Sequence, residues 1–584
     1  MIRKLFSQMV FTQVVSCMAV TLCMLIDSIV IGRFLGVDAM AAYGYTQPVL
    51  LAFAAPGAMI SAGVQVVCGK TLGSGDMDGT NSCFTLSAVI TALISLFGLV
   101  IVLTLSGPIS TLLGAGAPGS DNAVYYLTKD YLTGFIIGLP AFLTAQIMIP
   151  YLQMAGSRIR LVIAVLVMTA FDILLDLLNA IFVHGGIFGM GLSSSISYYA
   201  AVAIGLGYFL KKESIFRFRW KNMRYSILRD TILNGIPTVI NQLSLVFLVL
   251  LLNHLLSSME GNHAVAAYSV IATVSNMCYA FCNGNSQVAL MMASIFHSDE
   301  DRSSLYELVR VMRKSAVVLL FFVTLLVMAF GRPVVALFLA DEPETISLAT
   351  LGLRLFSLSL VPCALNTTFK FYYQGIGKIR LMETISVLQN FVLPFLAALL
   401  LGFVLKTTGV WMCFVCGESA AWLFICAYVW IHNRRVGLAA RDWALLPASF
   451  GVSEGNCFEF SVGNVNDAVN VSDKAVDFCL AHGEDKTKSV MIGLCIEEIT
   501  CNTVIHGFSK GNGHYTVDVR LMFCGNEKKI RIRDNCLFFD PVHYYKLHRG
   551  EDPVAHLGIR TVISYAREAV YLNTLGLNNL MLTL

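Results

Sequence analysis

Residues 39–43 read Ala-Met-Ala-Ala-Tyr and recur as residues 264–268, Ala-Val-Ala-Ala-Tyr, at an offset of 225. A second set of matches aligns Pro140, Tyr151 and Arg158 with Pro362, Tyr373 and Arg380, each at an offset of 222. One such match can arise by chance, but two clusters at nearly the same offset indicate an internal repeat. The sequence therefore predicts a body made of two similar halves.

The composition places most of this body in a lipid bilayer. The 584 residues are 56% hydrophobic and only 13% charged, about half the charged fraction of a soluble domain. A transmembrane helix needs about 20 apolar residues. Twelve such segments are predicted, at roughly 8–33, 44–68, 82–106, 126–152, 160–182, 187–210, 231–256, 264–295, 312–338, 347–374, 382–405 and 408–431. Six spans return the chain to its starting side, so the halves are expected in parallel orientation.

The loops between these spans alternate in charge. Lys and Arg gather in every second loop, most densely between residues 211 and 229, while the opposite loops are poor in both. The positive-inside rule then places both termini in the cytoplasm. The expected location is the bacterial cytoplasmic membrane, with the lipid bilayer as the main partner.

The chain divides into four segments by composition. They are a first half at 1–215, a second half at 216–435, a linker at 436–452 and a more polar C-terminal domain at 453–584. The net charge of +3 and the lack of a Lys/Arg run exclude a nucleic-acid partner. The sixteen cysteines are scattered and have no metal-ligand spacing, so most of them are interpreted as small packing residues.

Three motifs of the body resemble a known family. They are Asp27–Gly36 with the Ala39–Tyr43 segment, Gly69–Asp76, and Tyr373–Lys378. Together they look like multidrug and toxic compound extrusion (MATE) transporters. That resemblance implies a cation-coupled antiporter that exports bulky, often cationic, small molecules. The fold class expected is an all-α, polytopic membrane protein of two six-helix halves.

Ion coupling needs titratable groups at membrane depth, where an isolated charge is costly. The candidates are Asp27 in the first span and Asp172 and Asp176 in the fifth. Asp172 and Asp176 are four residues apart, so they share one helix face and should titrate as a coupled pair. The resemblance matches Asp27 and Asp176 to family aspartates but places Asn at Asp172. The coupling ion is expected to be H⁺ or Na⁺, and the proton is favoured because the second half lacks acids in its first and fourth spans.

The C-terminal domain contains a carboxylate and an amide on one helix face, Glu498 and Asn502. No P-loop motif occurs in the sequence, so a P-loop ATPase does not drive transport. The stretch around these two residues resembles the N-box of GHKL ATPases, and most closely that of anti-sigma-factor serine kinases. The resemblance implies a small α/β sandwich that binds ATP and Mg²⁺. In it Glu498 acts as catalytic base and Asn502 ligates the metal.

Two further boxes extend this resemblance. Asp534–Pro541 resembles the first glycine box, in which Asp534 accepts from the adenine amino group and Asp540 belongs to the nucleotide site. His556–Arg560 resembles the second box, where the backbone at Gly558 reaches phosphate at a helix start. Cys536 stands where the family has Gly. A cytoplasmic regulator protein is the expected kinase substrate, as in the family.

Two other functions remain open at this stage. The body could be a sensor whose output is the C-terminal kinase, or a flippase for lipid-linked oligosaccharides. The membrane-depth carboxylates argue against a purely sensory body. The cavities of such flippases are usually basic, whereas the mid-span positions here are mostly uncharged or acidic.

Overall fold

The computed structural model describes two parts, a helical body and a small five-stranded domain. The described residues are 1–113, 115, 123–211, 214–220, 223–260, 262–338, 343–434, 437, 439–510, 515–525, 527–547 and 557–584.

The first half consists of seven helices. They are α1 (Ile2–Val30), α2 (Val37–Gly73), α3 (Met77–Leu112), α4 (Ala123–Ile136), α5 (Leu139–Met154), α6 (Arg158–Leu178) and α7 (Gly186–Phe209). One π-helical turn extends α1 through Ile31–Leu35, and another extends α6 through Asn179–Val183. Helices α4 and α5 meet at a bend of 50°. Pro140 lies in the first turn of α5, where its missing N–H costs no helical hydrogen bond.

The second half repeats this plan. Its helices are α8 (Tyr225–Glu260), α9 (Asn262–Ser298), α10 (Arg302–Phe338), α11 (Pro343–Leu358), α12 (Leu360–Gly375), α13 (Ile379–Val387) and α14 (Leu393–Asn433). Helices α11 and α12 are bent by 46°, as α4 and α5 are in the first half. A π-helical turn at Leu388–Val392 joins α13 to α14, and Lys406 interrupts α14 with a positive φ of 52°. The internal repeat expected from the sequence is therefore visible as two bent pairs in corresponding positions.

Each of the twelve predicted spans coincides with a helix, a bent pair or part of a longer helix. Among the described residues, eight helices are long and apolar enough to cross a membrane, or up to ten if each bent pair counts as one span. One of the eight, Ile379–Asn433, covers the last two predicted spans in a single 55-residue stretch. The fold is thus a mostly helical, polytopic membrane body.

The two halves pack closely at one end of the bundle. This end contains loops 74–76, 155–157 and 299–301, and we call it the docking end. A Cβ added to Gly73 would lie 2.3 Å from the carbonyl oxygen of Ile295, and one added to Gly63 would lie 2.0 Å from that of Thr231. Only a glycine allows backbones to approach so closely. At the opposite end the start of α2 packs within the first half, where Tyr43 meets Tyr131 edge to face.

The C-terminal domain is a five-stranded sheet covered by helices on one face. After the short helix α15 (Ala440–Ala444) of the preceding segment, its elements are β1 (Cys457–Val462), α16 (Val465–Ala481), α17 (Lys486–Asn502), β2 (Val517–Cys524), β3 (Glu527–Asp534), α18 (Pro541–Leu547), α19 (Leu557–Tyr565), β4 (Glu568–Thr574) and β5 (Leu577–Thr583). The strand order is β1-β2-β3-β5-β4, and every neighbouring pair is antiparallel. Apolar side chains of the strands form one core with α16, α17 and α19.

The segment predicted as a linker packs against the body. Within it, the Trp443 ring stacks on Trp422 of α14 with ring centroids 5.1 Å apart. Arg302 of α10 donates to the carbonyl oxygens of Pro447 and Ala448, at 3.3 and 2.8 Å. The chain between body and domain is therefore attached to the docking end.

Candidate functional site

Three buried carboxylates meet inside the first half. Asp27 of α1 and Asp172 and Asp176 of α6 each offer an oxygen, and these oxygens lie within 4.8 Å of one another. All three side chains are buried, with Asp176 fully so. The structure thus brings Asp27 to the acidic pair that helix periodicity had placed on one face.

These carboxylates have few hydrogen-bond donors. Ser197 of α7 donates to Asp172 at 3.2 Å. Ser193 approaches Asp176, but among the described residues neither oxygen of Asp176 has a hydrogen bond of acceptable geometry. One oxygen of Asp27 is likewise left without a donor there. Buried polar atoms without partners are costly, so these oxygens are candidates to bind a proton or a metal cation.

A second polar cluster lies inside the other half. The ammonium of Lys370 in α12 donates to Asn241 at 2.6 Å and to Gln389 at 2.9 Å. Gln389 in turn donates to both oxygens of Glu418, at 3.0 and 3.1 Å, and Asn366 donates to Glu418 at 2.8 Å. An acid and a base are thus buried in one hydrogen-bonded network, which limits the cost of their charges.

Sequence reasoning missed Lys370. The available signal was a lysine deep within a predicted span, in Phe369-Lys370-Phe371. It pointed to a buried partner, and Glu418 lay 48 positions away in another span.

In the C-terminal domain, Glu498 and Gly558 come together. Both Glu498 and Asn502 are half-buried on α17. A Cβ added to Gly558, in the first turn of α19, would lie 2.0 Å from a carboxylate oxygen of Glu498. Glu498 and Gly558 are therefore neighbours, and a side chain at Gly558 would require the Glu498 carboxylate to move. His556 and the segment 548–556 lie outside the described residues.

Asp534 lies at the end of β3 and is buried. Its Oδ1 accepts from Asn578 Nδ2 at 2.8 Å and from the backbone N–H of Cys536 at 2.9 Å. Burial raises the pKa of Asp534, and the donors Asn578 and Cys536 oppose that shift. Because Oδ1 already accepts these two hydrogen bonds, Oδ2 is the oxygen of Asp534 that would accept a hydrogen bond from a nucleobase. Asp540 caps α18 by accepting from the N–H groups of Val542 and His543, both at 2.9 Å.

Cys536 does not strain its turn. Its backbone has no positive φ, so the conformation that would require glycine is not adopted there. The thiol packs against Gly507, where an added Cβ would lie 3.0 Å from the sulfur. The residues that resemble the three boxes include a half-buried carboxylate and amide on α17 and a buried carboxylate at the end of β3, donor types with which a nucleotide and its metal would be compatible.

Two repeated bundles of apolar helices around buried carboxylates define a polytopic membrane transporter. The chain belongs to the MatE family, because the family model matches residues 13–178 and 237–400, more than half of the sequence. The match ends at residue 400 and does not bear on the C-terminal domain.

Curated relatives and solved structures are similar to the body. The chain is 23% identical over 360 residues to the multidrug export protein MepA of Staphylococcus aureus (strain bovine RF122 / ET3-1), covering 61% of this chain and 77% of that one. It is also 23% identical over 357 residues to MepA of Staphylococcus haemolyticus (strain JCSC1435), with the same coverage. The crystal structure of the Vibrio cholerae MATE transporter VcmN in its bent form superposes with a TM-score of 0.67 at 19% identity, covering 76% of this chain and 98% of that one.

A MOP superfamily transporter from Pyrococcus furiosus superposes with a TM-score of 0.67 at 19% identity, covering 74% of this chain and 96% of that one. At this identity both superpositions establish the fold alone.

Proposed function

We propose that the chain is a cation-coupled antiporter that exports drugs or other organic compounds across the bacterial cytoplasmic membrane, with a cytoplasmic ATP-binding domain that regulates it. The observation that carries the transport proposal is the cluster of Asp27, Asp172 and Asp176 inside a MatE-family body. The multidrug export relatives support the class of cargo. Twelve spans and a cytoplasmic docking end are part of this proposal, which the helix pattern and the basic loops at that end support.

The chemistry of the cluster supports coupling to an ion. Three carboxylates so close together repel one another unless a proton or a cation lies between them. Taking up that ion neutralises the cluster, and losing it restores the repulsion. A conformational change that exposes the cluster to one side and then the other would therefore exchange the ion for cargo.

The proton is our preferred coupling ion, with Na⁺ as the alternative. Carboxylate oxygens can hold either one. In the second half, Glu418 is already held by Gln389, which also accepts from the ammonium of Lys370, so that acid belongs to a network with an internal base. We therefore place coupling in the first half.

Dye efflux from proteoliposomes tests the transport proposal. A pH gradient should drive export of a cationic dye, and Asp27→Asn and Asp176→Asn should each abolish the gradient-dependent part. Asp130→Asn, an exposed acid of α4, is the matched control and should transport normally. Efflux that persists in both variants would overturn the coupling assignment, and efflux that follows a Na⁺ gradient alone would identify Na⁺.

For the C-terminal domain we propose a nucleotide site formed by Glu498, Asn502, Asp534 and Gly558. Bound Mg-ATP would supply the phosphoryl group, with Asn502 as its metal ligand. Glu498 would orient or deprotonate the attacking hydroxyl of a regulator protein. Mg²⁺-dependent binding of a fluorescent ATP analogue to the full chain tests the site. No binding at saturating concentrations of the analogue would indicate a domain that has lost the ability to bind nucleotide.

A sensor whose output is the kinase is the competing function. This function predicts regulated phosphotransfer without any dye efflux. Measuring phosphotransfer and dye efflux in parallel therefore distinguishes it from a regulated exporter.

A further inference from the structure

One face of the C-terminal sheet carries three arginines. Arg520 of β2 pairs in register with Arg531 of β3, and Arg533 lies two residues further on, so all three project from the same face. The opposite face carries Val519 and Ile532 and packs on the helices. Three adjacent guanidinium groups repel one another unless anions neutralise them.

The neutralising anions belong to the second half of the body. Arg531 Nη1 lies 2.6 Å from an oxygen of both Asp299 and Asp301, in the loop between α9 and α10. Arg533 contacts Asp299 at 2.9 Å, and Arg520 contacts Asp301 at 3.1 Å. All five side chains are buried. We call this set of ion pairs the second-half anchor.

The same sheet also holds the first half. The turn between β4 and β5, Leu575-Gly576, contacts the loop between α5 and α6. The N–H of Leu575 donates to the carbonyl oxygen of Met154 at 2.6 Å, and Arg158 donates to the carbonyl oxygen of Leu575 at 2.7 Å. A Cβ added to Gly156 would lie 2.4 Å from the Cα of Gly576. We call these contacts the first-half anchor.

The two anchors lie on one stiff element. Strands β3 and β5 are hydrogen-bonded neighbours along their whole length, from Lys529 paired with Thr583 to Asp534 paired with Asn578. Arg533 lies near the C-terminal end of β3, and the β4–β5 turn at Leu575 lies beside that end of the strand. One sheet thus spans from the α5–α6 loop of the first half to the α9–α10 loop of the second.

We propose that the C-terminal domain is a clamp on the transporter, which holds the two halves together at the docking end until one of its anchors is released. This inference rests on the proposed transport function, because alternating access requires the docking end to open. Below the clamp the halves meet directly, with Ser294 of α9 donating to the carbonyl oxygen of Gln65 in α2 at 2.7 Å. The domain therefore regulates transport by intramolecular contact with both halves.

Hydrogen exchange on the full-length protein in detergent or nanodiscs tests the clamp. The first variant, Arg531→Gln/Arg533→Gln, breaks the second-half anchor, and the second variant, Leu575→Asp, breaks the first-half anchor. Either one should raise exchange severalfold at both anchor loops and at the facing ends of α2 and α9, residues 63–73 and 288–298. In proteoliposomes, either one should also raise the initial efflux rate severalfold.

Arg567→Gln is the matched control, because Arg567 is exposed and pairs with Glu527 within the domain itself. It should leave exchange at both anchors and the efflux rate unchanged. Slow exchange in β2 and β3 checks that each variant keeps its sheet, and if the arginine variant loses it, Leu575→Asp decides the test.

Exchange that increases only at the mutated anchor, with residues 63–73 and 288–298 as protected as in the unmodified protein, would overturn the clamp. The exchange measurement needs neither cargo nor nucleotide. A protein that moves no dye but opens at the docking end in both variants would contradict the transport proposal and leave the clamp standing.

Discussion

Gln65 of α2 donates a hydrogen bond to Gln287 of α9 at 2.9 Å, which joins the two halves of the body directly. Both residues lie on the second helix of their half, near the docking end. This bond and the clamp above it hold the same end of the bundle together. The contributions of the Gln65–Gln287 hydrogen bond and of the clamp can be measured separately.

Removing one partner of this bond should weaken the closed docking end. Gln65→Leu leaves the oxygen of the half-buried Gln287 without its donor, at a cost of about 1 kcal/mol. Hydrogen exchange at residues 288–298 should then rise by about fivefold or more. The double variant Gln65→Leu/Gln287→Leu serves as the control, because removing both partners costs less than removing one. Equal exchange in the single and double variants would contradict a bridging role.

The buried network of the second half should respond strongly to the loss of one charge. Lys370→Met removes the positive charge from the network around Glu418 and leaves the Gln389 oxygen without its donor, at a cost of about 1–3 kcal/mol. Thermal unfolding in detergent should therefore occur at a clearly lower temperature. Adding Glu418→Gln removes the unpaired charge and should recover most of the loss. If the double variant is no more stable than Lys370→Met alone, the two residues are not coupled.

The adenine specificity of the proposed nucleotide site should depend on one oxygen. Asp534→Asn keeps the acceptor for Asn578 and Cys536 at one side-chain oxygen but replaces the other with a donor. Affinity of the full chain for an adenine nucleotide should fall at least tenfold, while its weak affinity for guanine nucleotides should not. The exposed Asp473 of α16 supplies the control variant Asp473→Asn. Unchanged ATP affinity in Asp534→Asn would remove Asp534 from the site.

A methyl group at Gly558 should displace the proposed base. The added Cβ would lie 2.0 Å from a Glu498 oxygen, so the carboxylate must move in Gly558→Ala. Phosphotransfer should fall more than ATP binding, because positioning the base affects the chemical step. Gly455→Ala is the comparison, since nothing lies within 4 Å of a Cβ there. Full phosphotransfer in Gly558→Ala would rule out a catalytic position for Glu498.

Lowering the pH from 8 to 5 should not weaken docking of the C-terminal domain. Burial by itself raises the pKa of Asp301, but Arg531, Arg533 and Arg520 together outweigh it and hold that pKa well below its usual range. The stabilisation from Asp301 is then complete above its unfolded pKa of about 3.9 and is lost only as pH falls below it.

Asp299 does not alter that expectation. Burial raises its pKa despite Arg531 and Arg533, so taking up a proton as pH falls favours the docked state rather than opposing it. Hydrogen exchange of the loop 299–301, corrected for the intrinsic rate, should therefore show at least as much protection at pH 5 as at pH 8. Release of the domain with a midpoint near pH 6 would show that another group controls docking.

Local features of the chain were predictable because they depend on composition and periodicity. The apolar segments, the repeat and the helix and strand order of the C-terminal domain each follow from short stretches of sequence. Helix periodicity likewise placed Asp172 beside Asp176.

Long-range contacts could not be predicted, because their partners are far apart along the chain. Residues 436–452 lie between the last span and the polar domain and are predicted to be a linker, yet Trp443 packs on the body. In the sequence, the arginines of β2 and β3 are typical of an exposed strand face. In the structure, the loop at Asp299 covers them.

The sequence by itself determined a two-half membrane body of the MatE family, the acidic residues at membrane depth and a polar domain after them. Hydrophobic length and residue spacing are local properties, so they can be read directly. Only the tertiary structure joined Asp27 to Asp172 and Asp176, paired Lys370 with the Glu418 network and placed one sheet across both halves. Such contacts depend on how helices pack and on the cost of burying unpaired charge. Neither of these can be read from a single segment of sequence, because each involves residues far apart along the chain.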